Sequence, residues 1–399
     1  MYIFNPDHDL ALANFMSNFT SPASARKLRY DLSMIPVWYA PDGALIIIES
    51  ELNNRFLEYI KSKLPINTSL VPFSQLGGHS DLMVKPWGWN PAIHRQLAEA
   101  DVSENLLPSF SYMKLIRDYS SRQHAVKLLA ELKDKNSSFC GESFFYTDID
   151  SLLKYVYTSE EDQVLKMPYS GSGKGIVWIK GEITDKQIDW CKRVINKQGG
   201  VVIEPVLNKA EDFAMEFEMD NSGIQFIGYS LFQSAPSGAY VGNLLLSDVA
   251  IEDRLIRYVE LGLLEELRSM LEIKLKAYFP HYRGCLGVDM MICQTSEATY
   301  QLQPCVEINM RMNMGIVAHR FYHRFVHPNS SGMYAINFFK QEGQAQAYEY
   351  KMQEDNPLKI EDSKIIRGYF ALTPVDKNTR YVAHAIIKEN HEDKYKFSP

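Results

Sequence analysis

The sequence predicts a mixed α/β plus α+β protein, and three observations support this prediction. Residues 1 to about 110 alternate strand and helix signals, and a glycine-rich segment near residue 170 lies between two apolar strands. Residues 287–315 read as two strands joined by a short polar turn. Alternating strands and helices favour a parallel sheet, whereas short turns favour antiparallel ones. At 399 residues the chain is too long for one core, so we expect two or three domains.

The first 110 residues predict an α/β domain. Tyr2 to Phe4 and Ala44 to Ile48 are apolar runs typical of buried strands, and Glu51 to Lys63 has the spacing of an amphipathic helix. Open α/β sheets bind ligands in the loops that follow their strands. The loops NPDHD and KPWGWN are therefore predicted to form part of a substrate site, with His8 as a base or metal ligand. A hydrogen-bonded loop histidine is the structural alternative.

The segment VLKMPYSGSGKGIVWI predicts a phosphate-covering flap. Lys166 stands at the end of its first strand. An alternation of glycines with polar residues follows in Gly171, Ser172, Gly173, Lys174 and Gly175. Glycines permit positive φ and let backbone N–H groups approach a phosphate. The pattern is neither a Walker A motif nor GxGxxG, and a strand follows it, so we interpret it as a flap between two strands. An ordinary hairpin turn is the alternative.

The segment VVIEPVLNKAEDFAMEF predicts a connector between two lobes. Its β-branched run ends at Glu204, and Pro205 would stop a central strand. A connector with an exposed carboxylate and free backbone groups suits recognition of an adenine edge and a ribose, and acidic residues recur at Glu211 and Asp212. A plain surface carboxylate is the alternative for Glu204.

The most informative segment is GVDMMICQTSEATYQLQPCVEINMRMNMG. We predict that its first strand ends in Asp289 and that its second strand presents Glu307, Asn309 and Arg311 at every other position. Alternate side chains of a strand share one face, so a carboxylate, an amide and a guanidinium line up. Two carboxylates and an amide oxygen suit Mg²⁺, and an arginine beside them suits an anion. The wet face of an ordinary strand is the alternative.

These four segments, in this order, resemble the ATP-grasp superfamily over roughly residues 111 to 330. The resemblance implies a Rossmann-like pre-ATP-grasp domain followed by a two-lobed ATP-grasp domain. It places the N-terminal domain at 1–110, the lobe with the glycine-rich flap at 111–200 and the lobe with the Mg²⁺ site at 201–345. Residues 346–399 are then a C-terminal extension, with strands expected at Lys364 to Leu372 and Arg380 to Ile387.

The resemblance also implies roles for the quoted residues. Lys166 would contact the α- and β-phosphates of ATP, and the loop from Ser170 to Gly175 would cover the nucleotide. Adenine would be held by Glu204 and the backbone near Val206 and Leu207, with Glu211 or Asp212 at the ribose. Asp289, Glu307 and Asn309 would bind Mg²⁺, with Mn²⁺ as the alternative ion. Arg311 would steady the transferring phosphoryl group or an acyl phosphate.

One departure from the family pattern concerns a further phosphate-binding lysine on the first helix of the grasp domain. In SYMKLIRDYSSRQHAVKLLAEL, Arg122 stands nearest that place, with Lys114 and Lys127 as rivals. An arginine supplies the charge of a lysine but not its point-like geometry.

Two further segments carry weaker signals. FIGYSLFQSAPSGAYVGNLLL predicts a hairpin beside the site, where Tyr240 and Asn243 would meet substrate unless the tip is an ordinary turn. His319 and His323 are spaced i, i+4 on one helix face. Because no glutamate completes an HExxH motif, a zinc site is not expected there.

Composition narrows the classes of function. The net charge of −7 gives no electrostatic reason to expect a nucleic acid or an acidic membrane as a partner. The N-terminus lacks the features of a signal peptide, and the five cysteines form no CxxC motif. Buried reduced thiols in a cytoplasmic protein are therefore expected.

The predicted function is an ATP-dependent ligase that joins a carboxylate to an amine through an acyl phosphate and releases ADP and phosphate. The substrates would be a small-molecule or peptide carboxylate and an amine acceptor. An ATP-grasp kinase and a non-catalytic ATP-binding regulatory module are the alternatives. Fold resemblance does not select the substrates, and the sequence does not assign an oligomeric state.

Overall fold

The computed structural model of the chain describes residues 1–79, 81–171, 173, 175–296 and 299–390. Within them the strands form three sheets: a four-stranded parallel sheet, a four-stranded antiparallel sheet and a nine-stranded antiparallel sheet. The mixed α/β class predicted from the sequence is confirmed. No helix among the described residues is both long enough and apolar enough to cross a membrane.

The parallel sheet lies at the N-terminus. Its strands, in spatial order β3-β2-β1-β4, are β1 (Tyr2–Ile3), β2 (Leu45–Ile48), β3 (Ser69–Pro72) and β4 (Lys85–Pro86). Its helices are α1 (His8–Asn14), α2 (Ala23–Asp31), α3 (Leu52–Lys61) and α4 (Pro91–Glu99). Because β1 and β4 pair in parallel, the loops NPDHD and WGWN leave the sheet at the same edge.

The small antiparallel sheet follows two helices, α5 (Phe110–Tyr119) and α6 (Gln123–Lys135). In spatial order β5-β8-β6-β7, its strands are β5 (Phe144–Tyr146), β6 (Gln163–Lys166), β7 (Ile176–Ile179) and β8 (Val201–Pro205). Helices α7 (Ile149–Thr158) and α8 (Asp185–Gln198) pack against it. Strands β6 and β7 are antiparallel neighbours, so the glycine-rich segment does join two strands. Strand β8 ends at Pro205, as predicted for a connector.

The nine-stranded sheet is the largest of the three and has the spatial order β13-β12-β9-β10-β11-β14-β17-β16-β15. Its strands are β9 (Lys209–Met219), β10 (Ile224–Ser234), β11 (Tyr240–Leu245), β12 (Gly284–Ser296), β13 (Thr299–Asn309), β14 (Ser330–Phe338), β15 (Lys359–Glu361), β16 (Lys364–Ala371) and β17 (Tyr381–Glu389). Its helices are α9 (Asp248–Leu255), α10 (Leu261–Tyr278), α11 (Met314–Phe325) and α12 (Gln344–Asp355). Short 3-10 segments occur at Ile35–Trp38, Phe73–His79 and Glu104–Leu106.

The C-terminal strands are part of this sheet. Strands β16 and β17 match the two strands expected in the C-terminal extension, and through β14 they join the large sheet. Strand β17 pairs with β14 along its whole length, from Phe338 opposite Tyr381 to Ser330 opposite Glu389. The sequence signal for β14, which completes the link, was missed.

The two faces of β9 differ in chemistry, and this difference positions the site. Phe213, Met215 and Phe217 are buried on one face, where they pack in a core with the leucines of α10. The alternate residues, including Asp212 and Glu216, face the other side of the sheet. Around β9 the large sheet therefore buries one face. Its other face carries polar side chains toward Arg122 and the N-terminal loop, a region that we call the cleft.

Candidate active site

The three residues predicted to bind metal lie together on the cleft face of the large sheet. Asp289 on β12 stands directly opposite Glu307 on β13, and Asn309 stands opposite Gly287 in the same register. The Asn309 Nδ2 atom donates a hydrogen bond to Asp289 Oδ2 at 3.0 Å. Side chains directly opposite on antiparallel strands are neighbours, so the strand pair itself gathers two carboxylates and an amide.

The charges of this group fit a divalent cation. Burial raises the pKa of the Asp289 carboxyl well above its ordinary value, and the neighbouring Glu307 and Glu216 carboxylates raise it further. A bound cation would favour the ionised form and so remove that penalty. Carboxylate and amide oxygens are the ligands that Mg²⁺ prefers, so the residues present fit this metal.

Two details of the predicted strand pair are wrong. Strand β12 does not end at Asp289 but continues to Ser296, with an irregular register just after Asp289. Strand β13 ends at Asn309, so Arg311 lies beyond it. The Arg311 side chain therefore leaves the row and turns toward the N-terminal unit.

Arg311 binds a residue of the first loop. Its Nε donates to both carboxylate oxygens of Asp9, at 3.0 and 3.1 Å, and its Nη2 donates to Oδ2 at 2.8 Å. Burial opposes ionisation of Asp9, but the Arg311 guanidinium holds the pKa of this carboxyl below its ordinary value. The pair joins the parallel sheet to the large sheet. Sequence reasoning pointed to the NPDHD loop but did not identify Asp9 as the partner of Arg311.

Arg122 lies immediately before α6 and reaches into the cleft. Its Nη1 donates to the Met167 carbonyl at 2.5 Å and to Ser170 Oγ at 2.7 Å. Its Nη2 donates to the Ser170 carbonyl at 3.1 Å and to Glu307 Oε1 at 2.6 Å. One guanidinium thus links the base of the flap to the predicted metal site.

The two rivals of Arg122 lie elsewhere. The Lys114 ammonium stands over the Phe110 ring at 5.1 Å, and the Lys127 ammonium stands over the Tyr278 ring at 4.9 Å. Of the three basic residues considered, Arg122 alone contacts the flap and a predicted metal ligand.

Lys166 and Glu204 form a buried ion pair on the small sheet. The Lys166 Nζ atom lies 2.6 Å from Glu204 Oε2, and Ser143 Oγ donates to Glu204 Oε1 at 2.9 Å. Strands β6 and β8 place the two side chains on one face, because Val164 stands opposite Glu204 two residues before Lys166. The predicted phosphate contact and the predicted adenine contact are therefore neighbours.

The described part of the flap packs closely on the cleft. A Cβ atom at Gly171 would lie 2.2 Å from Asp9 Oδ2, so the glycine allows the chain to pass over the Asp9–Arg311 pair. Gly173 has a φ of 73° and lies against the Gly238 carbonyl of the β10–β11 turn. A Cβ at Gly175 would meet the Ser170 side chain. The predicted flap residues Ser172 and Lys174 lie outside the described residues.

Val206 and Leu207 lie in the connector that was predicted to hold adenine. The Val206 amide donates to the Asp162 carbonyl at 2.8 Å, which engages one of the backbone groups expected at adenine. Leu207 lies beside it in the connector between β8 and β9.

The two acidic residues considered for the ribose lie on opposite faces of the sheet. Glu211 is on the buried face, where Arg254 of α9 donates to it at 2.7 Å, and this corrects its proposed place at the ribose. Asp212 lies on the cleft face and accepts hydrogen bonds from Ser234 and Lys209.

Of the residues proposed to meet substrate, His8 and Asn243 are buried and Tyr240 is half-buried. His8 is 1% exposed, and its Nδ1 lies 3.3 Å from Asn90 Nδ2. Burial lowers the pKa of His8 to about 4, so the hydrogen-bonded alternative describes it better than a general base does. Tyr240 donates to Asn243 Oδ1, and burial raises the pKa of its phenol well above the ordinary value.

Sequence reasoning missed a buried carboxyl below the metal row. Glu216 accepts hydrogen bonds from Ser230 Oγ at 2.8 Å and from Asn313 Nδ2 at 2.7 Å. Burial raises the pKa of Glu216 to about 7. Gly287 and Gly315 leave room for its two oxygens, since a Cβ at either position would lie within 2.5 Å of them. The signals were present: Glu216 alternates with the buried residues of β9.

The chain matches no protein-family model and no curated protein. Among solved structures it is similar to biotin carboxylase from Campylobacter jejuni in a β,γ-ATP complex. That likeness has a TM-score of 0.50 at 10% identity and covers 97% of this chain and 87% of that one.

Two further solved structures have lower TM-scores. An N5-carboxyaminoimidazole synthetase from Staphylococcus aureus, complexed with ADP, has a TM-score of 0.47 at 13% identity and covers 89% of this chain and 94% of that one. D-cycloserine synthetase has a TM-score of 0.42 at 10% identity and covers 71% of this chain and 98% of that one. Nearly the whole chain therefore shares the fold of this biotin carboxylase.

Proposed function

We propose that the protein is an ATP-dependent ligase that joins a carboxylate to an amine through an acyl phosphate and releases ADP and phosphate. The observation that carries the proposal is the row of Asp289, Glu307 and Asn309, with Arg122 bound to Glu307 at 2.6 Å. A row of oxygen ligands touching a buried guanidinium suits a cation with a polyphosphate.

The nucleotide would lie between the small sheet and the large sheet. We assign Lys166, Arg122 and the flap from Ser170 to Gly175 to its phosphates. Glu204 and Leu207 are assigned to adenine, and Asp212 replaces Glu211 at the ribose because it lies on the cleft face. In this arrangement the domain limits are 1–110 for a Rossmann-like pre-ATP-grasp domain, 111–200 for the flap lobe and 201–345 for the metal lobe.

The ion pairs of the cleft are the groups that the phosphates would engage. Lys166 is bound to Glu204, and Arg122 is bound to Glu307. An incoming polyphosphate offers these cations stronger, multiply charged partners, and each carboxylate would be released for adenine or for metal. We expect nucleotide and metal to bind cooperatively, because each frees ligands for the other.

The reaction requires charge neutralisation more than it requires a protein nucleophile. The substrate carboxylate attacks the γ-phosphorus of ATP, the bond to the ADP oxygen breaks, and an acyl phosphate results. The amine then attacks the acyl carbon and phosphate leaves. Bound Mg²⁺ would neutralise charge on the β- and γ-phosphates. Arg311, which Asp9 holds at the edge of the cleft, would steady the transferred phosphoryl group.

The flap explains how the acyl phosphate would be protected from water. Its glycines lie against Asp9 on one side and against the β10–β11 turn on the other. A closed flap excludes water, and an acyl phosphate exposed to water would hydrolyse. The N-terminal loops around His8 and the hairpin around Tyr240 would then border the acceptor site, where a small-molecule or peptide carboxylate and an amine meet.

A reduced, cytoplasmic setting accompanies this proposal. Cys140, Cys191, Cys285, Cys293 and Cys305 all carry free thiols. The negative net charge gives a nucleic acid no electrostatic attraction to the protein.

The proposal is tested by ADP release from Mg-ATP with pooled carboxylates and amines, followed by identification of products by mass. Glu307→Gln should lower turnover by about three orders of magnitude or more, because it removes a metal ligand and the partner of Arg122. Glu265→Gln, which changes an exposed carboxylate on α10, should leave turnover unchanged.

The products decide among the remaining functions. A condensation mass that depends on Glu307 supports the ligase. A product that gains only one phosphoryl group would replace it with a kinase. If the protein bound ATP but released no ADP in any pool, the result would contradict catalysis and favour a binding module.

A further inference from the structure

A second group of metal-ligating side chains lies outside the cleft described above. Asp248 is the first residue of α9, and His319 and His323 lie one turn apart on α11. One ligand atom from each residue lies within 4.8 Å of the other two. None of the three contacts the row of Asp289, Glu307 and Asn309 in the described structure.

The spacing of these atoms matches a coordination shell. His319 Nε2 lies 3.2 Å from Asp248 Oδ2, and His323 Nε2 lies 3.4 Å from the same oxygen. Ligands bound to zinc at about 2.0–2.1 Å lie about 3.4 Å apart when the geometry is tetrahedral. The two imidazole centroids are 4.3 Å apart, and both Nε2 atoms lie next to the same Asp248 oxygen.

The surrounding backbone leaves room for this arrangement. Gly228 lies at an irregular point of β10 with a φ of 156°, and a Cβ there would lie 2.2 Å from His319 Nε2. The Tyr229 amide donates to Asp248 Oδ1 at 3.2 Å and so orients the carboxylate. Such support of a ligating carboxylate is typical of metal sites.

The group is also open to solvent on one side. The His323 side chain is 43% exposed and the Asp248 side chain 35% exposed, whereas His319 is 11% exposed. An ion could therefore enter without unfolding and keep water in its remaining positions. Glu252, one turn after Asp248 on α9, interacts electrostatically with Asp248 and adds negative potential near the group.

We propose that Asp248, His319 and His323 bind a divalent transition metal of the zinc class. Two imidazoles and a carboxylate are the ligands these metals prefer, whereas Mg²⁺ prefers oxygen alone. The ion would link α9 to α11. At the N-terminus of α11, the capping residue Asn313 donates a hydrogen bond to Glu216. The absence of an HExxH motif does not exclude the site, because the third ligand comes from a distant helix.

The proposal is tested by titrating the purified protein with ZnCl₂ in excess Mg²⁺, with calorimetry as the readout. The wild-type protein should bind one equivalent tightly. Removing a residue that only hydrogen-bonds a metal ligand lowers metal affinity by about 10- to 100-fold. His323→Ala and Asp248→Asn remove or weaken a ligand itself, so each should lower zinc affinity by at least that factor. His281→Ala, at an exposed histidine away from the group, is the matched control and should bind normally.

A second readout separates this site from the cleft. Zinc should raise the melting temperature of the wild-type protein and of Glu307→Gln alike, but not that of His323→Ala. Equal zinc affinity in the wild-type protein and His323→Ala would overturn the proposal. Tight binding lost in Glu307→Gln but kept in His323→Ala would also overturn it, since the ion would then occupy the cleft.

Discussion

At the scale of single residues, the cleft is built from cations and carboxylates that neutralise one another. Lys166 and Glu204 are each 9% exposed in their side chains and lie 2.6 Å apart. Removing one partner of a buried pair leaves the other charge uncompensated, at a cost of about 3–5 kcal/mol. A variant at Lys166 therefore changes stability as well as binding.

The double variant separates these effects. Lys166→Met should weaken ATP binding about tenfold or more, because it would remove the charged phosphate contact that we propose. It should also lower the melting temperature. Lys166→Met combined with Glu204→Gln should recover much of the stability but not the affinity. Recovery of ATP affinity in the double variant, measured by calorimetry, would contradict the role assigned to Lys166.

A second residue-scale prediction concerns pH. Burial lowers the pKa of His8 to about 4 from 6.5, so the unfolded chain takes up this proton first as the pH falls. Stability is therefore lost between pH 6.5 and 4 and is fully present above pH 6.5. His8→Gln should reduce the loss of unfolding free energy between pH 7 and 4.5 by about 2 kcal/mol, measured by urea unfolding. His281→Gln, at an exposed histidine, is the control and should behave like the wild-type protein. If His8→Gln lost as much unfolding free energy between pH 7 and 4.5 as the wild-type protein does, the buried state of His8 would not explain the pH dependence.

At the scale of elements, local patterns predicted the strands that carry the site. The alternation of Glu307 and Asn309 is a property of one strand, and its pairing with Asp289 needs only one hairpin. The end of β13 at Asn309 was not predictable in this way, because alternation continues in the sequence through Arg311 and Asn313. The contact that draws Arg311 away comes from another part of the chain.

The flap supplies a prediction about an element. A Cβ at Gly171 would collide with Asp9 Oδ2 at 2.2 Å, so Gly171→Ala should hold the flap away from the cleft. Turnover should fall by about tenfold or more, since the acyl phosphate would meet water, while the melting temperature changes little. Gly262→Ala, on an exposed helix position with open space around it, is the control. Full turnover in Gly171→Ala would show that the flap need not approach Asp9.

At the scale of the whole molecule, the site depends on contacts between units far apart in sequence. Arg311 and Asp9 are 302 residues apart, and Arg122 and Glu307 are 185 residues apart. No spacing or periodicity encodes such pairs, so the sequence predicted Arg311 and Arg122 but not their partners. For the same reason the sequence did not reveal Asp248, although its partners His319 and His323 were recognisable as an i, i+4 pair on one helix.

The Asp9–Arg311 pair leads to a prediction for the assembled protein. Asp9→Asn keeps a polar side chain but removes the charge that holds Arg311, so turnover should fall by about tenfold or more. ADP affinity should change little, because the phosphate contacts that we propose, Lys166 and Arg122, are unchanged. Asp42→Asn, at an exposed ion pair with Arg324, is the control and should have neither effect. A large loss of ADP affinity in Asp9→Asn would mean that Arg311 serves the nucleotide itself.

The most direct test of the account follows an oxygen atom. Formation of an acyl phosphate transfers one carboxylate oxygen to the phosphate that is later released. Carboxylates labelled with ¹⁸O are therefore incubated with Mg-ATP, amines and the protein, and the inorganic phosphate is analysed by mass spectrometry. We predict that each phosphate released by the wild-type protein carries one ¹⁸O atom, and that Glu307→Gln releases no labelled phosphate. Phosphate released with ADP but without label would contradict carboxylate activation.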